Sequence, residues 1–255
     1  MPRYIENKLI EEFKERDVFS REELCNFFRK FEPELKEGTF GWRIYDLKNK
    51  GIIKSVKRGH YTISYKSKYR PHFKDLLIKL SKTINEHYSE LTYCIWSTNW
   101  INEFSQHQAG KEILIIEIEK DFVESLYYYL KDQFKYDIFL NPDEKTISFY
   151  VTESLYPVVI KNLITRSPLD NSTEKHVKIY FPTLEKILVD LFADPKLFYF
   201  YQGTELIHIY ENAITKYTLN FTKLFSYAKR RGKQNDIKLF MLDNLGPILK
   251  DIIND

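Results

Sequence analysis

Apolar residues recur at two different periods along the first quarter of the chain, and the change of period outlines a small lobe. In RYIENKLIEEFKERD, Ile5, Leu9, Ile10 and Phe13 fall at helical spacing with charged residues between them, the stripe of one helix resting on a core. In VFSREELCNFFRKF, Leu24, Phe27, Phe28 and Phe31 form the stripe of a second helix. Ser20 and Glu23 supply an S-x-x-E capping box there, and Phe19 stands where a hydrophobic staple begins. After the loop EPELKEG, Thr39 is expected to cap a third helix that turns Phe40, Ile44 and Leu47 inward, runs to about Lys50 and stops at Gly51. The period then drops to two: IIKSV and HYTIS read as the strands of a hairpin with Lys57, Arg58 and Gly59 at its tip. Three helices and a hairpin make the order of a winged helix-turn-helix over residues 1–65.

From Pro71 onward helices and strands alternate. FKDLLIKLSKTINEHYSEL is amphipathic, TYCIWS is a compact strand, and TNWINEFSQH is a helix with Ser97 or Thr98 as its cap. KEILIIEIEKD reads as a strand, FVESLYYYLKDQF as a helix, and YDIFL and TISFYV as two strands around the turn NPDEK. PVVIKNLI and KHVKIYF are further strands, PTLEKILVDLFAD is a capped helix, and Gly203 to Asn254 is helical. This predicts a mixed α/β (α+β) domain with a helical tail over residues 76–255, joined to the first lobe by a basic linker, 66–75. The aromatic runs SLYYYL and LFYFYQG, without interleaved cations, are expected in the core.

Charge changes this picture more than composition does. The chain of 255 residues carries a net charge of only +3, but residues 1–75 hold 18 of the 39 basic and 12 of the 36 acidic residues. Gly38 to Arg70 contains nine basic residues and a single acid, Asp46. On a winged helix the third helix enters the major groove and the hairpin follows the backbone. Thr39, Trp42, Arg43, Asp46 and Asn49 are then the candidates to reach base edges, Arg43 at guanine and Asn49 at adenine. Lys48, Lys54, Lys57, Arg58 and His60 are candidates for phosphate contact, and Lys66, Lys68 and Arg70 continue the run into the linker, where they either track a phosphate backbone or keep the linker soluble by charge. In FSYAKRRGK, Lys229, Arg230, Arg231 and Lys233 form a second basic patch, either a further phosphate contact or a solvated helix end. A winged-helix module that docks a protein is the alternative for the first lobe.

Other classes find less support. No apolar run approaches the ~20 residues of a membrane span and no secretory leader pattern opens the sequence, so a cytoplasmic protein without membrane contact is expected. Cys25 and Cys94 lie in separate apolar patterns and read as free thiols. No glycine-rich phosphate loop, dinucleotide fingerprint or nucleophile elbow is present, and the six histidines lack metal-pair spacing. No cofactor and no metal are expected. Glu117, Glu119 and Lys120 are the basis of one enzymatic alternative, a metal-dependent nuclease or nucleotide-modifying enzyme. Lys120 directly follows Glu119, however, whereas such a site needs its lysine two places on, upon the same strand face. A non-enzymatic protein is the leading expectation.

The order FGWRIYDLKNKGIIKSVKRGHYTI, TYCIWSTNWINEFSQH and FPTLEKILVDLFAD resembles the AbiEi-like antitoxins of type IV toxin–antitoxin, or abortive-infection, systems. The last segment is similar to that family's "sPEraLlDLl" pattern at Pro182, Leu184, Glu185, Leu188, Asp190 and Leu191, and departs from it at Thr183, Lys186 and Val189. The resemblance implies a DNA-binding transcriptional repressor whose winged helix binds operator DNA of its own operon. It also implies an antitoxin that opposes a nucleotidyltransferase-like toxin without a stable complex. Glu185 and Asp190 are the polar positions of the matching helix, where local capping or pairing accounts for them.

Overall fold

A computed structural model describes residues 2–14, 16, 18–63 and 68–245, and its buried apolar residues divide into two clusters. The smaller belongs to the first lobe. Helix α1 (Arg3–Phe13) buries Ile5, Leu9 and Phe13, with Ile10 half-buried at the edge of the stripe. The two-residue strand β1 (Phe19–Ser20) leads into α2 (Arg21–Arg29), whose capping box is reciprocal. Ser20 Oγ accepts from the Glu23 amide at 3.1 Å, and Glu23 Oε2 accepts from the Ser20 amide at 2.8 Å. Phe19 stacks on Phe13 at 4.2 Å between centroids, clamping the entry of α2 to α1.

Helix α3 (Glu37–Asn49) starts two residues before Thr39. Lys36 is already extended and the first helical residue follows it, so Thr39 is an exposed residue of the first turn rather than a cap. Phe40, Ile44 and Leu47 are buried as the spacing predicted. Gly51, at φ 69°, takes the left-handed conformation that ends α3, while the Ile52 amide bonds back to the Leu47 carbonyl. Strands β2 (Ile53–Lys57) and β3 (His60–Ile63) form the hairpin, with Gly59 at φ 76° in its turn, and β1 adds a third strand in the order β1-β3-β2. The register slips between Ser55 and Lys57. That irregularity lets Ile53 join the small core while Val56 is buried in the larger one.

The larger cluster opens with α4 (Asp75–His87) and β4 (Tyr93–Ser97). A 3-10 turn (Thr98–Glu103) follows, in which Ser97 Oγ accepts from the Asn99 amide at 3.0 Å. Next come β5 (Leu114–Ile118), α5 (Val123–Gln133), β6 (Asp137–Leu140) and β7 (Pro157–Asn162), giving a four-stranded sheet of order β4-β5-β7-β6. β4 is antiparallel to β5, whereas β5, β7 and β6 are parallel. The expected strand TISFYV is helical instead: the single turn α6 (Glu144–Thr146), entered through Asp143, which accepts from the Thr146 amide, continues into a π-helical turn at Ile147–Val151. The reason is topological. Parallel β6 and β7 need a crossover, and a tight turn joins only antiparallel neighbours.

Strands β8 (Leu169–Glu174) and β9 (Val177–Pro182) make a separate hairpin beside β4 and α4. LDNSTE lacks apolar alternation, so periodicity does not mark it as a strand. Helix α7 (Leu184–Ala193) is buried from Leu184 to Leu191, and α8 (Thr204–Lys216), α9 (Phe221–Arg230) and α10 (Gln234–Asn244) complete the chain as far as it is described. The expected helical stretch beyond residue 245 lies outside the described residues, as do Lys66 and Ser64.

Of the aromatic runs, Phe198 and Tyr201 are buried, but Tyr128, Tyr199 and Phe200 are exposed. The expectation that both runs are core is therefore corrected: three tyrosines in a row on α5 span more of the helix circumference than one buried stripe. Cys94 is buried and Cys25 half-buried, both free. Among the described residues, no helix is long and apolar enough to cross a membrane.

Candidate nucleic-acid interface

The outer face of α3 carries Thr39, Trp42, Tyr45 and Asn49, all exposed, with Lys48 beside them. Trp42 retains 59% and Tyr45 62% of its accessible surface, so this stripe is aromatic and polar rather than cationic. Arg43 is not part of it. Its guanidinium pairs with Glu32 and lies 5.2 Å from the centre of the Phe28 ring, and its side chain is mostly covered. Placed one position past Trp42, Arg43 is rotated toward α2, where both a carboxylate and a ring face receive it, and this corrects its assignment to the base-reading set. Asp46 is likewise engaged, by Lys50, which also reaches Glu6.

The hairpin supplies the positive charge. Lys57 is half-buried and Arg58 exposed at the tip, where His60 Nδ1 approaches the Arg58 carbonyl at 3.2 Å. The tip rests on the large lobe: the Arg58 amide donates to Thr222 Oγ1 at 2.9 Å, in the first turn of α9. Helix α9 contains no acid, and its exposed positions are Thr222, Lys223, Ser226, Lys229 and Arg230. The hairpin tip therefore meets the exposed, basic ridge of α9 at its first turn. From Thr222 to Lys229 the helix rises about 10 Å, the axial reach of roughly three phosphates of one strand.

The other two members of the second patch leave this ridge. Arg231 turns inward, with Nε 3.5 Å from Asp190 Oδ1, and Lys233 pairs with Asp236 at 2.9 Å. Arg230 Nη1 donates to Thr165 Oγ1 at 2.9 Å while staying exposed. Lys54 is half-buried, and Lys48, although exposed, stands at the edge of the α3 face. Lys48 lies over the Tyr61 ring, and both residues line a cleft between the lobes together with Lys68 and Lys223. Burial holds the Lys54 pKa below the ordinary lysine value, and the Lys68 charge adds to the effect. Lys68 itself pairs with Asp170, and Arg70 is exposed.

Glu117, Glu119 and Lys120 do not assemble into a site. Glu119 accepts from the Thr92 amide at 2.9 Å and Lys120 is exposed. Glu117 faces the other way, into the core, where Lys186 Nζ reaches its two oxygens at 2.6 and 2.8 Å. Lys186 also binds Asp190 at 2.5 Å, Trp96 Nε1 donates to Glu117 at 3.1 Å, and the Tyr227 hydroxyl donates to Asp190 at 2.8 Å. Two cations, Lys186 and Arg231, thus face two carboxylates in a buried centre that ties β5, α7 and α9 together. Burial works against the Lys186 charge, but Asp190 and Glu117 outweigh it and raise its pKa well above the ordinary value. Burial likewise pushes the Cys94 thiol far up.

Asp190 is accordingly a structural partner of Lys186, and Glu185 accepts from the Asn220 amide at 2.8 Å. Residue-by-residue reading missed this centre, although a lysine and an aspartate four apart inside TLEKILVDLF, an otherwise apolar helix, carried its signal. Among the described residues, no group of three or more histidine, cysteine, aspartate or glutamate side chains is placed to hold a metal.

A family of unknown function, DUF6577, matches residues 39–246, which is more than half of the chain. The chain belongs to this family. No curated protein matches it. The DUF6577 match begins at Thr39 and so takes in nearly all of α3, the hairpin, the ridge on α9 and the buried centre, while α1 and α2 precede it.

Proposed function

We propose that the chain is a double-stranded DNA-binding protein in which residues 1–65 act as a winged helix and α9 extends its grip on the backbone. The observation that carries this reading is the contact of Arg58 with Thr222. It aligns the hairpin tip with Lys223, Lys229 and Arg230 across the lobe boundary. Thr39, Trp42 and Asn49 then offer two polar groups and an indole to base edges, and the backbone attraction comes from the hairpin and α9 rather than from α3.

In the finer reading, drawn from the resemblance to AbiEi-like antitoxins, the protein represses its own operon and opposes a nucleotidyltransferase-like toxin in the cytoplasm without a stable complex. The test is a titration with duplex from its own upstream region at two salt concentrations, with Lys57→Ala and Lys229→Ala beside the native chain. Each variant is expected to bind more weakly and to flatten the dependence of log K on log salt by about 0.9 for each phosphate no longer neutralised. Salt-independent binding, or none, sinks the reading. Exposed Trp42 and Tyr45 favour a second one, in which α3 docks a protein; it gains if Trp42→Ala changes no duplex affinity.

A further inference from the structure

The lobes flank a cleft of about 330 Å³ that shares Lys223 with the α9 surface of the DNA-binding reading and otherwise lies apart from it. This lies at the lower end of the range of small-molecule pockets, roughly 300–1,000 Å³. Lysines enter it from three parts of the chain: Lys48 and Lys54 from the small lobe, Lys68 from the connection, and Lys223 from α9. Among the described residues, two acids line the cleft with these four cations, and each acid is engaged. Asp170 pairs with Lys68, and Glu185 accepts from the Asn220 amide. Burial lowers the Lys54 pKa, and the nearby Lys68 charge adds to the effect.

The floor of the cleft points the same way. Thr183, at the N-cap of the ten-residue helix α7, lines it. Its side chain makes no cap bond, and among the described residues its hydroxyl is buried without a hydrogen-bond partner in a residue only 9% exposed. A helix N-terminus with an idle buried hydroxyl, ringed by lysines, is matched in charge and hydrogen bonding to a phosphate. Tyr69 and Phe181 give the cleft apolar walls suited to a flat ring.

We propose that this cleft binds a small phosphate-bearing ligand of the mononucleotide class, with its phosphate held by Lys54, Lys223 and Thr183 and its base against Tyr69 and Phe181. Bound there, the ligand touches both lobes and the connection between them.

The experiment is calorimetric titration of the full chain with ATP, GTP, adenosine and inorganic pyrophosphate, and separately with a random-sequence duplex. Saturable binding of a nucleotide at one site per chain is expected, with adenosine at least tenfold weaker because it lacks the phosphate. Lys223→Ala should weaken nucleotide binding about tenfold or more, as for loss of a charge-assisted bond. Thr183→Val should raise the melting temperature of the free protein, by removing an unsatisfied buried hydroxyl, and at the same time weaken the nucleotide. Stabilisation without weakened binding marks the hydroxyl as merely buried and overturns the proposal. So do the absence of saturable nucleotide binding and an unchanged affinity in Lys223→Ala. Duplex binding without nucleotide binding overturns it too, and gives the lysines to the DNA backbone; nucleotide binding without duplex binding upholds it and sinks the DNA reading alone.

Discussion

The backbone amide of Arg58, at the tip of the β2–β3 hairpin, donates to Thr222 Oγ1 at 2.9 Å in the first turn of α9. The bond uses the main chain, so it positions the tip without drawing on the guanidinium. Thr222→Val keeps the shape of the side chain and removes the acceptor. It is expected to cost about 0.5–1.5 kcal/mol of stability. Because no charge is removed, duplex affinity should fall while its salt dependence stays unchanged. Unaltered affinity in a destabilised Thr222→Val chain would show that the tip and α9 do not act as one surface.

Arg43 and Asn49 lie six residues apart on α3 and are expected to part company on substitution. Arg43 is held by Glu32 and the Phe28 ring, so Arg43→Ala should lower stability on the order of 1–2 kcal/mol, the combined scale of a covered cation–π contact and a half-exposed ion pair. Asn49 is exposed, and Asn49→Ala should leave the denaturation midpoint within ~0.5 kcal/mol of native. On the DNA-binding reading it should instead relax base preference. Denaturant melts of both variants, read beside a binding-site selection, separate the two roles. A stable Arg43→Ala chain with lost base preference would return Arg43 to the outward face.

The difference between those two residues also shows what the sequence made legible. The buried stripes of α1 to α3, the Ser20–Glu23 box and the hairpin tip followed from periodicity and local capping, because each is decided within a few residues. The direction of Arg43 is decided by Glu32, eleven residues away on the far side of a turn, and no local rule carries that. The same holds at larger separations. Lys186 answers Glu117 across 69 residues, and the hairpin tip meets α9 across 164. Local pattern likewise turned TISFYV into a strand, where the parallel pairing of β6 and β7 demanded a helical crossover.

Alkaline pH should unfold the protein early. Burial pushes the hydroxyls of Tyr93 and Tyr201 up to about 12, above the ordinary 10.0, and outweighs the hydrogen bonds at each that pull the other way. Lys186 is raised above its ordinary 10.5 by Asp190 and Glu117, against the effect of burial. In all three the folded pKa exceeds the unfolded one, so the protonated form is favoured on folding. Their contribution is fully present below about pH 10 and is lost as pH rises through the folded values. Melting temperatures should therefore hold level from neutral pH toward 10 and fall steeply beyond it, in step with tyrosinate absorbance. A melting temperature unchanged above pH 10 would mean that these groups are solvated.

Lys186→Met should be the most damaging single substitution in the large lobe. Methionine fills much of the same volume, but it leaves Glu117 without its cation and Asp190 with Arg231 alone, at 3.5 Å. Removing one partner of a buried ionic centre costs about 3–5 kcal/mol, chiefly as the penalty of the charge left behind. Adding Glu117→Gln removes one of the stranded charges and should recover part of that loss, while Trp96 Nε1 keeps an amide oxygen to donate to. Urea midpoints of the single and double variants measure the coupling directly. Because Lys223, Lys229 and Arg230 do not belong to the centre, the fraction of Lys186→Met chains that remains folded should keep its duplex affinity. A loss below ~1 kcal/mol, or no recovery in the double variant, would mean that water reaches the carboxylates and that the centre is not the tie between sheet and helices.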